Sequence, residues 1–138
     1  MMNMNYISGF FDADGSITLS VMGKREFRTV KIDFTNTKKS ILLEIQEYLK
    51  NNYGINTCIS TKPAKKENHS VSYTLSAVYN NAYKLCELLD SHHPMKKHRI
   101  NTVLKYQKLV TRRNGQYTKQ QKNRKLAFER LFFWTIFQ

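Results

Sequence analysis

At 138 residues the chain is long enough to bury a core of its own and reads as a single domain. Its 23 Lys and Arg against 10 Asp and Glu leave a formal charge of +13, which points to a polyanion held by counterion release from phosphate. No apolar run approaches a membrane span, and no Gly-rich phosphate loop, nucleophile elbow or dinucleotide fingerprint is present, so no membrane partner and no small-molecule cofactor are expected.

In chain order, Ile7-Ser8-Gly9-Phe10-Phe11-Asp12-Ala13-Asp14-Gly15 reads as a helix and its stop. Gly9 and Ala13 fall one turn apart on one face, where small side chains let two helix backbones approach closely. Gly15 is expected to end the helix in the left-handed conformation. Asp12 and Asp14 then sit at a helix C-terminus, where the macrodipole disfavours negative charge, and a nearby cation is the simplest remedy. The plain alternative is that Asp14-Gly15 is only a turn.

After Gly15 the period changes from 3.6 to 2. Ile17, Leu19 and Val21 form one face of a strand, Gly23 to Glu26 the turn, and Val30, Ile32 and Phe34 the inner face of the return strand. Lys38 to Asn52 reads as a helix with Ile41, Leu42, Ile45, Tyr48 and Leu49 as its stripe, capped by Asn36 or Thr37 and ended by Gly54. Asn56 to Thr61 is a strand of ambiguous face. A basic loop from Lys62 to Asn68 leads to a strand with Val71, Tyr73 and Leu75 inward, and Asn81 is placed to cap a third helix. His92-His93-Pro94 breaks that helix, Met95 to Arg99 is a basic connector, and a helix follows from Arg99 to Val110. The last helix opens with Lys119, Lys122, Arg124 and Lys125 and ends apolar. The fold class is α+β: an αββαββα core over residues 1–90, with antiparallel hairpins and helices on one face, then C-terminal helices over 91–138.

The polar strand faces hold hydroxyls, a Lys and an Asp, an inventory suited to base edges in a major groove as well as to an ordinary solvated face. His92, His93 and His98 near Cys86 match no zinc spacing. Cys58 and Cys86 are expected as free thiols in a reducing compartment. The start MMNMNY lacks signal-peptide features, so the expected location is intracellular, in cytoplasm or an organelle.

The run from Ile7 to Gly15 resembles the signature of the LAGLIDADG homing endonucleases. Its Asp12-Ala13-Asp14-Gly15 end is retained letter for letter, while Ile7, Ser8, Phe10 and Phe11 replace the usual Leu, Ala, Leu and Ile. The resemblance implies a saddle-shaped sheet over double-stranded DNA. It implies a site-specific double-strand break in a long, roughly palindromic target, made by metal-dependent phosphodiester hydrolysis. Relatives are encoded by mobile introns. One motif copy goes with a homodimer packed through Ser8, Gly9, Asp12 and Ala13. Residues two apart on a helix diverge, so one chain does not chelate one ion with both carboxylates. The resemblance brings two Asp14 residues together, one per chain, with the Ala13 carbonyl as a further ligand, and oxygen donors beside phosphate suit Mg²⁺. Asn36, after the second strand, and Lys96, before a late helix, match groups placed around the attacking water; the adjacent Lys97 is the competing choice for the lysine.

The expected DNA-contacting set begins with Ser16, Thr18, Ser20, Met22, Lys24, Arg25 and Arg28 of the first hairpin. It continues with Thr29, Lys31, Asp33, Thr35 and Lys39, and then with Thr57, Ile59, Thr61, Lys62, Lys65, Lys66, Ser72 and Thr74 of the second. The alternatives are an RNA-binding intron maturase on the same fold and a cleavage-dead DNA-binding module. An intact Asp14 argues against the latter.

Overall fold

The computed structural model describes residues 2–21, 27–63, 70–111 and 117–134. Helix α1 spans Met4–Asp14. It starts where the Asn3 side chain accepts the Tyr6 N–H at 2.8 Å, which satisfies one of the first-turn donors. It buries Ile7, Ser8 and Phe11. With no intervening loop it runs into strand β1, Gly15–Ser20.

This direct junction corrects the reading of Gly15. Its φ of −98° and ψ of 168° are extended, because the residue is already the first of a strand. Glycine is needed here for space. A Cβ would lie 2.5 Å from Phe11 Cδ1 and 2.8 Å from Phe11 backbone atoms. Gly54, at φ 66°, does take the left-handed conformation that ends α2.

Strand β2, Thr29–Asn36, pairs antiparallel with β1, and Ile17 faces Ile32. Helix α2, Lys39–Tyr53, presses Leu42, Ile45 and Leu49 inward. Its start departs from expectation. The N-cap is Lys38, and Asn36 instead accepts the Lys38 N–H at 2.8 Å in a turn closed by its own side chain. Strands β3, Cys58–Lys62, and β4, Ser72–Val78, complete an antiparallel sheet of order β1-β2-β4-β3. The expected turn at Gly23–Glu26 and most of the basic loop, with Met22, Lys24, Arg25, Lys65 and Lys66, lie outside the described residues.

Helix α3, Tyr79–Leu88, leaves β4 at once, through Tyr79 at φ 54°. Asn81 is therefore inside the helix, not at its cap, and its side chain accepts the Asn56 N–H instead. Helix α4 is Pro94–Val110, a turn and more longer than the expected Arg99–Val110. Pro94 opens it, since the first helical position needs no N–H. Helix α5, Lys119–Phe133, carries a capping box between Thr118 and Gln121.

One core joins all of this. Ile7 and Phe11 of α1, Ile17, Val30, Ile32, Phe34 and Leu75 of the sheet, and the inward residues of α2 and α3 pack with Ile100 and Val103 of α4 and Phe128 and Phe132 of α5. Val21 and Val71 lie just outside the strands and are exposed, so neither belongs to it. Arg99 of α4 donates to the Ile17 carbonyl on edge strand β1 at 2.8 Å and lies over Phe132, which fixes α4 and α5 to that edge.

Each fully buried Leu, Ile or Phe contributes roughly 1.5–3 kcal/mol, so the seating of Phe11 under Gly15 matters to the whole chain. Gly15→Ala is expected to cost about 1–3 kcal/mol by overpacking against Phe11. Urea denaturation checks this, and an unchanged midpoint would show that the junction has room to spare.

Candidate functional site

The C-terminus of α1 brings together Asp12, Asp14 and Lys96. Asp12 turns inward. Its carboxylate accepts the Ser91 hydroxyl at 2.5 Å and the His92 N–H at 2.7 Å, which ties α1 to the segment between α3 and α4. Burial pushes its carboxyl up, but the Ser91 bond, the His92 amide and nearby Lys96 outweigh burial and hold it below the ordinary 3.8. Stability drawn from this carboxylate is therefore present above pH 3.8 and is lost as the pH falls through the folded value. Asp12 is a structural clamp.

Asp14 is exposed, and among the described residues no hydrogen bond or ion pair takes its carboxylate. The cation that the helix end calls for is Lys96. Its Nζ donates to the carbonyls of Phe11 and Asp12, each at 2.9 Å, and lies 5.3 Å from the Phe11 ring centroid. Partial burial pulls this amine below the ordinary lysine range, and the charges of Asp12 and Asp14 oppose that pull. Lys97, the competing choice, is exposed, and the contacts to the α1 carbonyls are made by Lys96. Lys96 is not in a connector, as the sequence suggested. It sits in the first turn of α4, where the His93 side chain accepts its backbone N–H.

Register places Asn36 close by. Gly15 pairs with Phe34, so Thr35 and Asn36 continue past the start of β1 to the end of the sheet where α1 stops. Its carboxamide oxygen is taken by Lys38 N–H, which leaves the NH₂ as the group available to a ligand.

On α1, Gly9 and Ala13 are exposed on one face, and a Cβ on Gly9 would meet nothing within 4 Å. The other two expected interface residues face elsewhere. Ser8 is buried and accepts the Asp90 N–H at 3.0 Å, and Asp12 is engaged with Ser91 and His92, so neither shares the open face with Gly9 and Ala13. Helical spacing turns 8 and 12 toward the 90–92 segment and 9 and 13 outward.

The sheet presents one polar face. Aligned across it are Ser16, Asp33, Ser76 and Cys58; Thr18 and Lys31; and Thr35, Thr74 and Ser60. Ser20 and Thr29 pair at one end and Ser72 and Lys62 at the other, but Thr29 is buried and so does not offer the DNA contact expected of it. Ser76 donates to Asp33 at 2.6 Å, and the hydroxyls of Thr35 and Thr74 meet at 3.3 Å. Four expected members lie on the opposite, helix-packed side. Ile59 pairs with core residue Leu75, so Ile59, Thr57 and Thr61 share the core-side parity of β3. Arg28 has the parity of Val30, and its guanidinium lies over Phe133 of α5. Lys39 stands at the start of α2, over the Tyr73 ring. Cys58, Ser60 and Ser76 belong to the polar face and were missed. The signal was the alternation Ser72, Thr74, Ser76 on β4, which fixes β3 through pairing.

Elsewhere, the buried Cys86 thiol is pushed up to about 12 by desolvation, with Glu87 adding to it, and is a packing group. Lys125 is buried in α5 with its amine on Thr111 Oγ1, and desolvation lowers its pKa.

Residues 2–92 match the LAGLIDADG-like domain family, a match that covers the motif, both hairpins and Ser91 but stops short of Lys96. Among solved structures, the chain is similar to the crystal structure of LAGLIDADG homing endonuclease I-GzeII in complex with DNA target, at 18% identity and a TM-score of 0.47, over 77% of this chain and 39% of that one. The chain thus spans well under half the length of that structure. No curated protein matches it. Since the match to the domain family takes in more than half of the residues and the whole motif, the chain belongs to the LAGLIDADG-like domain family.

Proposed function

We propose that the chain is a site-specific DNA endonuclease that cuts both strands of a long, roughly palindromic duplex as a homodimer, by divalent-metal-dependent hydrolysis. One observation carries this reading: a free, exposed Asp14 carboxylate at a helix end whose neighbouring carbonyls are held by the Lys96 ammonium. Folding does not reward an unpaired acid at the negative end of a helix dipole. An anion-bridging cation does.

The donor set fits a hard divalent ion such as Mg²⁺: one free carboxylate, with the Ala13 carbonyl beside it. Among the described residues no group of three or more His, Cys, Asp or Glu side chains could hold a metal. In this reading a single chain offers half a site, which a second Asp14 from a twofold-related copy would complete. The exposed Gly9 and Ala13 face suits the close approach this requires. When bound, the ion supplies Lewis-acid polarisation of the scissile phosphate and a lowered pKa for water. In this reading Lys96 adds positive charge near the reacting phosphate, and the Asn36 NH₂, whose carboxamide oxygen is taken by Lys38 N–H, is the group left to bind a water. The polar face of the sheet, a ribbon of hydroxyls with Lys31 and Asp33, lies in the groove and reads base edges.

Asp14→Asn is expected to abolish cleavage while leaving binding of the target duplex intact, since the change removes negative charge near phosphate. Gel-shift and nicking assays side by side check this, and wild-type cutting by the variant would remove Asp14 from the site. Binding confined to RNA, with no metal-dependent nicking of DNA by the wild-type protein, would point instead to the maturase reading.

Lys31→Gln or Ser76→Val should change the base accepted at one position of each half-site, by roughly 1–3 kcal/mol of discrimination, whereas Thr61→Val should not. Selection from a randomised duplex library measures both. An unchanged preference for the first two would place the reading surface elsewhere.

Gly9→Leu is expected to give a folded monomer without double-strand cleavage, because the chain itself has space for the side chain. Sedimentation in Mg²⁺ is the check, and a dimeric, active variant would move the interface off α1.

A further inference from the structure

The hydrogen bonds around α1 close into a ring. Ser91 Oγ donates to Asp12 Oδ1 at 2.5 Å and accepts the His93 N–H at 3.2 Å. His93 Nδ1 in turn accepts the Lys96 N–H at 3.4 Å and so caps α4. Lys96 Nζ returns to α1 through the Phe11 and Asp12 carbonyls. Ser91 is 4% exposed and is the one side chain in the ring that touches both the motif helix and the cap of α4. Both bonds use the hydroxyl, as donor to Asp12 and as acceptor from His93, and a side chain without one makes neither.

We propose that Ser91 is a positioning residue: it sets the start of α4 against the end of α1 and thereby holds the Lys96 ammonium on the Phe11 and Asp12 carbonyls that lead into Asp14. This rests on the nuclease reading for its consequence in catalysis, though not for its geometry. A lysine side chain has many rotamers to lose on being held in one. Lys96 reaches the α1 carbonyls only if the first turn of α4 starts at the right place, and His93 defines that place. Ser91 fixes His93 from one side and Asp12 from the other. Without the hydroxyl, the cap and the motif helix are no longer held by one atom, and Lys96 keeps its charge but loses its registration.

The test compares Ser91→Ala, Ser91→Thr and Ser91→Cys in the full chain, using a duplex selected from a random library by the wild-type protein. Cys keeps the volume and weakens the hydrogen bond. Single-turnover cleavage at saturating protein should fall about 10–100-fold in Ser91→Ala, with the Kd for the duplex within about twofold, and should be largely restored in Ser91→Thr. A Cys variant intermediate between Ala and wild type supports the same ordering. The ¹⁵N NMR signal of the Lys96 ammonium, visible while its protons are held in hydrogen bonds, should be present in wild type and Ser91→Thr and lost in Ser91→Ala. This signal separates two failures. If the wild-type protein cuts no duplex but the signal follows the hydroxyl, the nuclease reading fails and the positioning role stands. If cleavage and the Lys96 signal are both unchanged in Ser91→Ala, or if Ala unfolds and folded Ser91→Cys cuts like wild type, the proposal is overturned.

Discussion

A single ammonium group lies where three sources of negative potential converge. Lys96 reaches the Phe11 and Asp12 carbonyls at the end of α1 from 85 and 84 residues away in sequence, and the charges of Asp12 and Asp14 favour its ammonium there. The helix dipole alone accounts for about half an elementary charge at that end. Two acids added to it would be poorly tolerated without a cation in contact. Lys96 satisfies two carbonyls directly and leaves Asp14 free, so the site is charged but not neutralised. The cost is partial desolvation of the amine, which lowers its pKa. Burying an ammonium is favourable only where hydrogen bonds and opposite charge offset the loss of water, and both are present.

The remaining architecture follows from keeping that junction in register with the sheet. Because α1 runs into β1 without a loop, the position of Asp14 is fixed by the pairing of Gly15 with Phe34. A slip of one residue would exchange the two faces of β1, exposing Ile17 and Leu19 and burying Ser16 and Thr18. The same pairing carries Asn36 to the helix end. Core packing thus does two things at once: it orients the polar face of the sheet, and it places the acid at the edge of that face. Arg99 adds the final restraint by bonding edge strand β1 from α4, one turn beyond Lys96.

Much of this was legible in the residues, and the failures are as local as the successes. The motif helix and β2 were readable because their patterns are long and clean: apolar and small at helical spacing in one, strict alternation of Val30, Ile32 and Phe34 in the other. The need for a cation at the end of α1 was also readable, since it follows from charge and dipole. The faces of β3 were not. That edge strand is short and mostly polar, so Ser60 and Thr61 look alike until pairing with Leu75 assigns Ile59 to the core side. Pro94 was read as a breaker of α3 when it also starts α4, and that ambiguity hid the helical setting of Lys96. Ser91 gave no signal at all, because its role comes from contacts with Asp12, 79 residues away. At Gly15 the sequence marks the right place but not the reason: crowding by Phe11, not a left-handed φ, demands glycine.

In the proposed reading, Asp14, left free while Lys96 holds the Phe11 and Asp12 carbonyls, is half of a site that a second copy completes. The most direct measurement is a crystal structure of the protein on its selected duplex with Mn²⁺ in place of Mg²⁺, the ion located by anomalous scattering. The expected result is two chains related by a twofold axis along the Gly9 and Ala13 faces, with the anomalous peak between their Asp14 carboxylates and the scissile phosphates. An ion bound away from Asp14, or two chains on DNA whose α1 helices do not touch, would contradict it.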